Sequence, residues 1–143
     1  MELDEWMGTL PRALRMDPMW KIRAYQIASY CVHLAGGDAA RAIKDPRLSE
    51  NVPQLIRAIG GVTAHIAEGY SRLSRKDRIR YYEYALGSVN ETKSWYMGAS
   101  IALDPATIEH RLEHLCRVSQ LLLVMIRNER NGGTWGPGRH AGD

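Results

Sequence analysis

The residues with the most chemical potential lie in "IAEGYSRLSRKDRIRYYEYALGS", residues 66 to 88. Arg72, Arg75, Lys76, Arg78 and Arg80 fall within nine positions, opposed by Asp77 alone, with Tyr70, Tyr81 and Tyr84 around them. Cations interleaved with aromatic rings suit phosphate contacts combined with base stacking. The net charge is +3 and this segment alone sums to +4, so the other residues sum to −1. Basicity confined to one segment fits an anionic partner better than general solubility. The segment also reads as a helix start, where cations oppose the helix dipole by a few tenths of a kcal/mol each. A bound phosphate that also meets helix-start amides offsets that cost. A solvated charged turn, or a contact with an acidic protein, remains the competing reading.

Other chemistry is sparse. His65 and Glu68 share one helical segment, and His110 and His114 stand four apart in another, beside Glu109 and Glu113. A metal held in a bundle needs inward carboxylates and histidines from several helices, and no matching set stands elsewhere. No nucleophile elbow, phosphate-cradling glycine loop or zinc-binding His-Glu-x-x-His occurs, so neither catalysis nor a cofactor is expected. Cys31 and Cys116 are far apart and in no metal-type spacing, and read as small core thiols in a reducing compartment.

These groups need a scaffold. The 143 residues fit one domain, and 45% apolar with 24% charged composition excludes disorder as the state of the whole chain. No apolar run is long enough to span a membrane, and the N-terminus lacks the apolar stretch of a secretory signal, so a cytoplasmic location is expected. Apolar spacing is helical throughout. The first helix opens at Asp17-Pro18, carries Trp20, Ala24, Ile27, Cys31 and Leu34, and should stop at Gly36-Gly37. The second starts between Ser49 and Pro53 with Leu55, Ile59, Val62, Ile66 and Tyr70. Ser74 followed by Asp77 caps the third, with Ile79, Tyr82, Leu86, Val89 and Tyr96. Asp104-Pro105 opens the fourth, and Asn131-Gly132-Gly133 ends it. The fold class is therefore all-α, an antiparallel up-down four-helix bundle over residues 17–130. Residues 1–16 form an N-terminal arm, frayed or partner-binding, and residues 131–143, with Trp135, form a flexible Gly-rich tail.

A second row of residues runs along three helices. Arg57, Gly61, Ala64 and Glu68 repeat behind the second helix's core stripe. Tyr84, Ser88, Glu91 and Trp95 do so on the third, and Leu121 and Val124 on the fourth. Small, aromatic and aliphatic residues mixed with a few charges suit a subunit interface. Glu68 and Glu91 there need cationic partners, with Arg57 the first candidate. Gly60-Gly61 reads as a place where another helix approaches closely, with Gly87-Ser88 as counterpart.

With "IAEGYSRLSRKD" and "ALGSVNET" read, the chain resembles the small bacterial four-helix-bundle proteins encoded within intervening sequences of large-subunit ribosomal RNA genes. Relatives of that family include the accessory variability protein of diversity-generating retroelements. The likeness spans roughly residues 18 to 129 and is most specific from Arg57 to Thr92. Arg57, Ile66, Ala67, Glu68, Gly69, Ala85, Leu86, Gly87, Ser88 and Glu91 match the family pattern. Gly61, Thr63 and His65 stand where the family has Ser, Pro and Asn. The resemblance implies a non-enzymatic bundle that assembles as a ring of five. It also implies contact with RNA or DNA, or with a reverse transcriptase. Two functions follow: a homopentameric assembly that binds nucleic acid, RNA above all, through Arg72, Arg75, Lys76, Arg78 and Arg80, or a protein-interaction scaffold without nucleic-acid contact.

Overall fold

The computed structural model describes residues 1–132, and among them there is no β-strand. The tail from residue 133 on, with Trp135, lies outside the described residues. Two short helices, α1 (Leu3–Gly8) and α2 (Arg12–Arg15), precede four long ones: α3 (Arg23–Ala42), α4 (Asn51–Ser71), α5 (Arg75–Gly98) and α6 (Pro105–Arg130).

The helix boundaries follow local chemistry. Asp104 accepts the Thr107 amide at 2.9 Å with Pro105 in the first position, and Ser74 accepts the Asp77 amide at 3.1 Å. Both are side-chain caps for otherwise orphaned amides. Asn131 caps α6, and Gly132 follows at φ +82°, a left-handed conformation that favours glycine.

α3 departs from the expected boundaries at both ends. Asp17 caps a short 3₁₀ turn, Pro18–Lys21, and the α-helix begins only at Arg23. At the far end α3 runs through Gly36-Gly37 to Ala42. Ala35, Ala39 and Ala42 beyond the stop signal are buried, and so is Asp38. The Tyr96 hydroxyl donates to Asp38 at 2.6 Å, Arg111 donates to both its carboxylate oxygens at 2.7 and 2.9 Å, and Arg41 donates as well. Two glycines in a helix cost about 1 kcal/mol each. Breaking α3 there would strip a buried carboxylate of its partners, which costs several times more.

α4 packs on α3 and α5, and α6 packs on α5 and α3. The contact registers run antiparallel. Gly61 of α4 meets Ser88 of α5 and Gly69 meets Tyr82, while Arg78 of α5 meets Glu129 of α6 and Lys93 meets Ser119. α3 and α6 pair Asp38 with Arg111 at one end, and at the other Ala24, Val124 and Asn128 line one cleft. Glycine at position 69 is a spatial requirement, and at position 61 the fit is tight. A Cβ on Gly69 would stand 2.6 Å from the Tyr82 ring, and one on Gly61 would stand 3.0 Å from the Ser88 hydroxyl. Of the approach expected between Gly60-Gly61 and Gly87-Ser88, only Gly61 and Ser88 meet, whereas a Cβ on Gly60 or Gly87 would find open space.

The N-terminal arm is folded onto the bundle. Trp6 of α1 is buried against Trp20, Tyr30 and His33, at ring-centroid distances of 6.3, 5.4 and 5.6 Å. The Tyr30 hydroxyl donates to the Met1 carbonyl at 2.7 Å. Trp6, Trp20 and Tyr30 form a second apolar cluster beside the main core. Cys31 is buried, with its thiol pushed up to about 12 by burial, whereas Cys116 is exposed, so only one of the two is the expected core thiol.

Candidate nucleic-acid interface

α4 ends at Ser71, and Arg72, Leu73 and Ser74 make the turn into α5. This turn is held from beneath by Arg78. Its Nη1 donates to the Arg72 and Leu73 carbonyls at 3.0 and 2.8 Å, two of the groups a helix end leaves unsatisfied. Its Nε forms an ion pair with Glu129 at 3.1 Å. Burial raises the Glu129 carboxyl above its ordinary range, and the Arg78 charge opposes that rise. Arg78 thus leaves the set of expected nucleic-acid contacts. It faces the core because it lies four residues before Tyr82 and seven before Ala85, on the buried stripe of α5.

The other four cations are exposed. Arg72 donates to Glu68 at 3.1 Å, which raises its pKa, and to the Tyr81 hydroxyl at 2.9 Å. Arg80 pairs with Asp77 at 3.3 Å. Arg75 and Lys76 form no salt bridge among the described residues. Antiparallel packing brings the end of α6 to the same pole, adding exposed Arg127 and Arg130, the latter 3.2 Å from Glu83. These two lie some fifty residues from the turn in sequence and were not foreseen. Only the pairing of helix ends places them there.

Around the cations sit aromatic rings. Tyr81 lies beneath the Arg72 guanidinium at 4.7 Å, Tyr84 meets Tyr81 edge-on at 5.5 Å, and His65 stands 5.6 Å from Tyr84. Tyr70 is half-buried against the core, and Tyr82 is fully inside it.

The expected interface residues divide. Arg57, Ala64, Glu68, Tyr84, Glu91 and Val124 are exposed. Gly61 and Ser88 contact each other within the chain, and Trp95 and Leu121 pack partly against the core. In "LLLVMI" the residues facing out are Leu123 and Val124, 54% and 39% exposed, because Leu121 turns toward the α3–α6 cleft. Within the chain Arg57 hydrogen-bonds Gln54, Glu68 pairs with Arg72, and Glu91 is exposed. An apolar cleft of about 250 Å³ opens between α3 and α6, lined by Ile22, Ala24, Tyr82, Leu121, Val124 and Met125.

The His110 and His114 rings lie 4.5 Å apart in a tilted pair, and His114 meets Tyr30 edge-on at 5.4 Å. Among the described residues no group of three or more His, Cys, Asp or Glu is placed to hold a metal. No helix among them is long and apolar enough to cross a membrane.

The described residues form an all-helical protein with a basic pole where the ends of α4 and α6 meet the start of α5. The chain belongs to the 23S rRNA-intervening sequence protein family, whose model matches residues 37–122. Its fold is similar to the crystal structure of a protein of unknown function from the S23 ribosomal protein family of Bacteroides thetaiotaomicron. That likeness has a TM-score of 0.68 at 18% identity, over 73% of this chain and 98% of that chain. No curated protein matches the chain.

Proposed function

We propose that this chain is an antiparallel up-down four-helix bundle without enzymatic activity, self-associating, whose basic pole binds nucleic acid. RNA is the first candidate, on the family's link to 23S rRNA. The observation that carries this reading is the pair Arg75 and Lys76. Both are exposed, both lack a salt bridge among the described residues, and both sit in a helix first turn that disfavours cations. Arg78 and Glu129 beneath them fix the turn's shape, so the charges are presented on a rigid support.

Self-association rests on the exposed pair Leu123 and Val124 and on the cleft beside them. The resemblance implies a ring of five. A ring multiplies the basic pole, and linked weak sites bind far more tightly than one. The same apolar residues favour a second reading, a scaffold for a protein partner such as a reverse transcriptase. Mobility of a labelled RNA on a native gel separates the two. A shift at about 50 mM salt that disappears at about 200 mM supports the nucleic-acid reading. No shift at low salt leaves the scaffold.

A further inference from the structure

Phosphate contacts account for the cations of the basic pole but not for its rings. Tyr84 is 49% exposed, yet its neighbours are fixed, with Tyr81 edge-on at 5.5 Å and His65 at 5.6 Å. Tyr81 in turn carries Arg72 at 4.7 Å and Arg80 at 5.5 Å from its ring centre. Glu68 anchors Arg72 from the α4 side. The result is a strip about three rings long, continuous with two guanidinium groups, along the open seam between α4 and α5. A ring held by its neighbours has little freedom left to lose when a flat ligand settles on it.

The ligand this strip fits is flat, π-faced and tied to an anion. A nucleobase with its phosphate meets all three conditions. Inside a duplex the base faces are already stacked on one another, whereas unpaired bases can be splayed onto aromatic and guanidinium planes. Resting on the nucleic-acid reading above, we infer that the strip takes unpaired bases of a single strand. One base stacks on Tyr84, and Arg72 and Arg80 meet the flanking phosphates. The site therefore selects single strands over duplexes of equal charge.

The test uses four probes on the full chain: labelled U12 RNA, labelled dT12, an RNA duplex of equal length, and base-free polyphosphate as competitor. Wild type should bind either or both single strands more tightly than the duplex. Tyr84→Ala should weaken single-strand binding by roughly 5-fold to 150-fold, the range found for removal of one stacking ring. Duplex affinity and polyphosphate competition should stay as they were. Tyr84→Leu, which keeps apolar bulk without a π face, should behave like Tyr84→Ala, and Tyr84→Phe should behave like wild type. Equal affinity for single strand and duplex, or equal effects of Tyr84→Ala on all probes, overturns the inference and leaves the basic pole standing. No binding of any probe, polyphosphate included, removes the nucleic-acid reading itself and this inference with it.

Discussion

Arg78 and Glu129 face each other at 3.1 Å, each only 2% exposed, and this pair joins the start of α5 to the end of α6 beneath the basic turn. Removing one member of such a pair leaves the other charge less well offset, at up to about 3–5 kcal/mol. Arg78→Met should therefore lower the unfolding free energy by that amount, while Arg78→Met with Glu129→Leu should recover most of it. The single variant should also gain stability relative to wild type on acidification. Glu129 is raised by burial, so its protonated form suits the fold, and that contribution is lost as pH rises through its folded pKa. Urea denaturation at two pH values checks both points. A single variant as stable as wild type would show that the pair is not a brace.

Burial holds His110 below its ordinary 6.5, helped by the charges of His114 and Arg111 and opposed by Glu2 and Glu113. Its Nδ1 stands 2.7 Å from an Arg111 nitrogen and must accept there, so protonation conflicts with the packing under α1. A histidine with depressed pKa contributes stability above its unfolded pKa and loses it as pH falls. The melting temperature should drop between about pH 7.5 and pH 5.5, and His110→Asn should reduce that drop. A pH-independent wild type in this window contradicts the placement.

The two thiols should behave oppositely. Cys31, buried and pushed up to about 12, stays protonated and inaccessible, while Cys116 is exposed. A thiol reagent should modify one cysteine in the native protein and the second only after denaturation. Modification of both at equal rates would contradict the burial of Cys31.

Leu123 and Val124 carry the self-association reading, so Leu123→Glu with Val124→Glu should give smaller, fully helical species by light scattering and circular dichroism. Trp95 and Leu121 would not isolate self-association, because both also pack against the chain's own core. A wild type that runs as a single chain at micromolar concentration would contradict the reading.

The core stripes were legible in the sequence because burial obeys helical spacing. Ile59, Val62, Ile66, Leu115, Leu122 and Ile126 are buried where that spacing places them. The buried charges obey the same rule. Asp38 falls seven residues after Cys31, and Glu129 falls seven after Leu122, each on its helix's core face. Residue type suggested solvent where position indicated the interior. Partners explain the outcome: Arg111 and Tyr96 for Asp38, and Arg78 for Glu129. The docking of α1 was illegible for another reason. The stripe Leu3, Trp6, Met7 and Leu10 is only about two turns long, and where it docks is set by Trp20 and Tyr30 of other elements. At the candidate site the four exposed cations could be read locally, while Arg127 and Arg130 join them only through the antiparallel return of α6.

The central claim is that Arg75 and Lys76 contact phosphates. The most direct measurement is the salt dependence of binding to single-stranded RNA, for wild type and for Arg75→Ser with Lys76→Ser, leaving Arg78 in place. Each phosphate neutralised on a single strand contributes about 0.7 to the slope of log affinity against log salt. The double variant should bind more weakly at low salt, with a slope smaller by about 1.4 for the two contacts. An unchanged affinity and an unchanged slope would contradict the account.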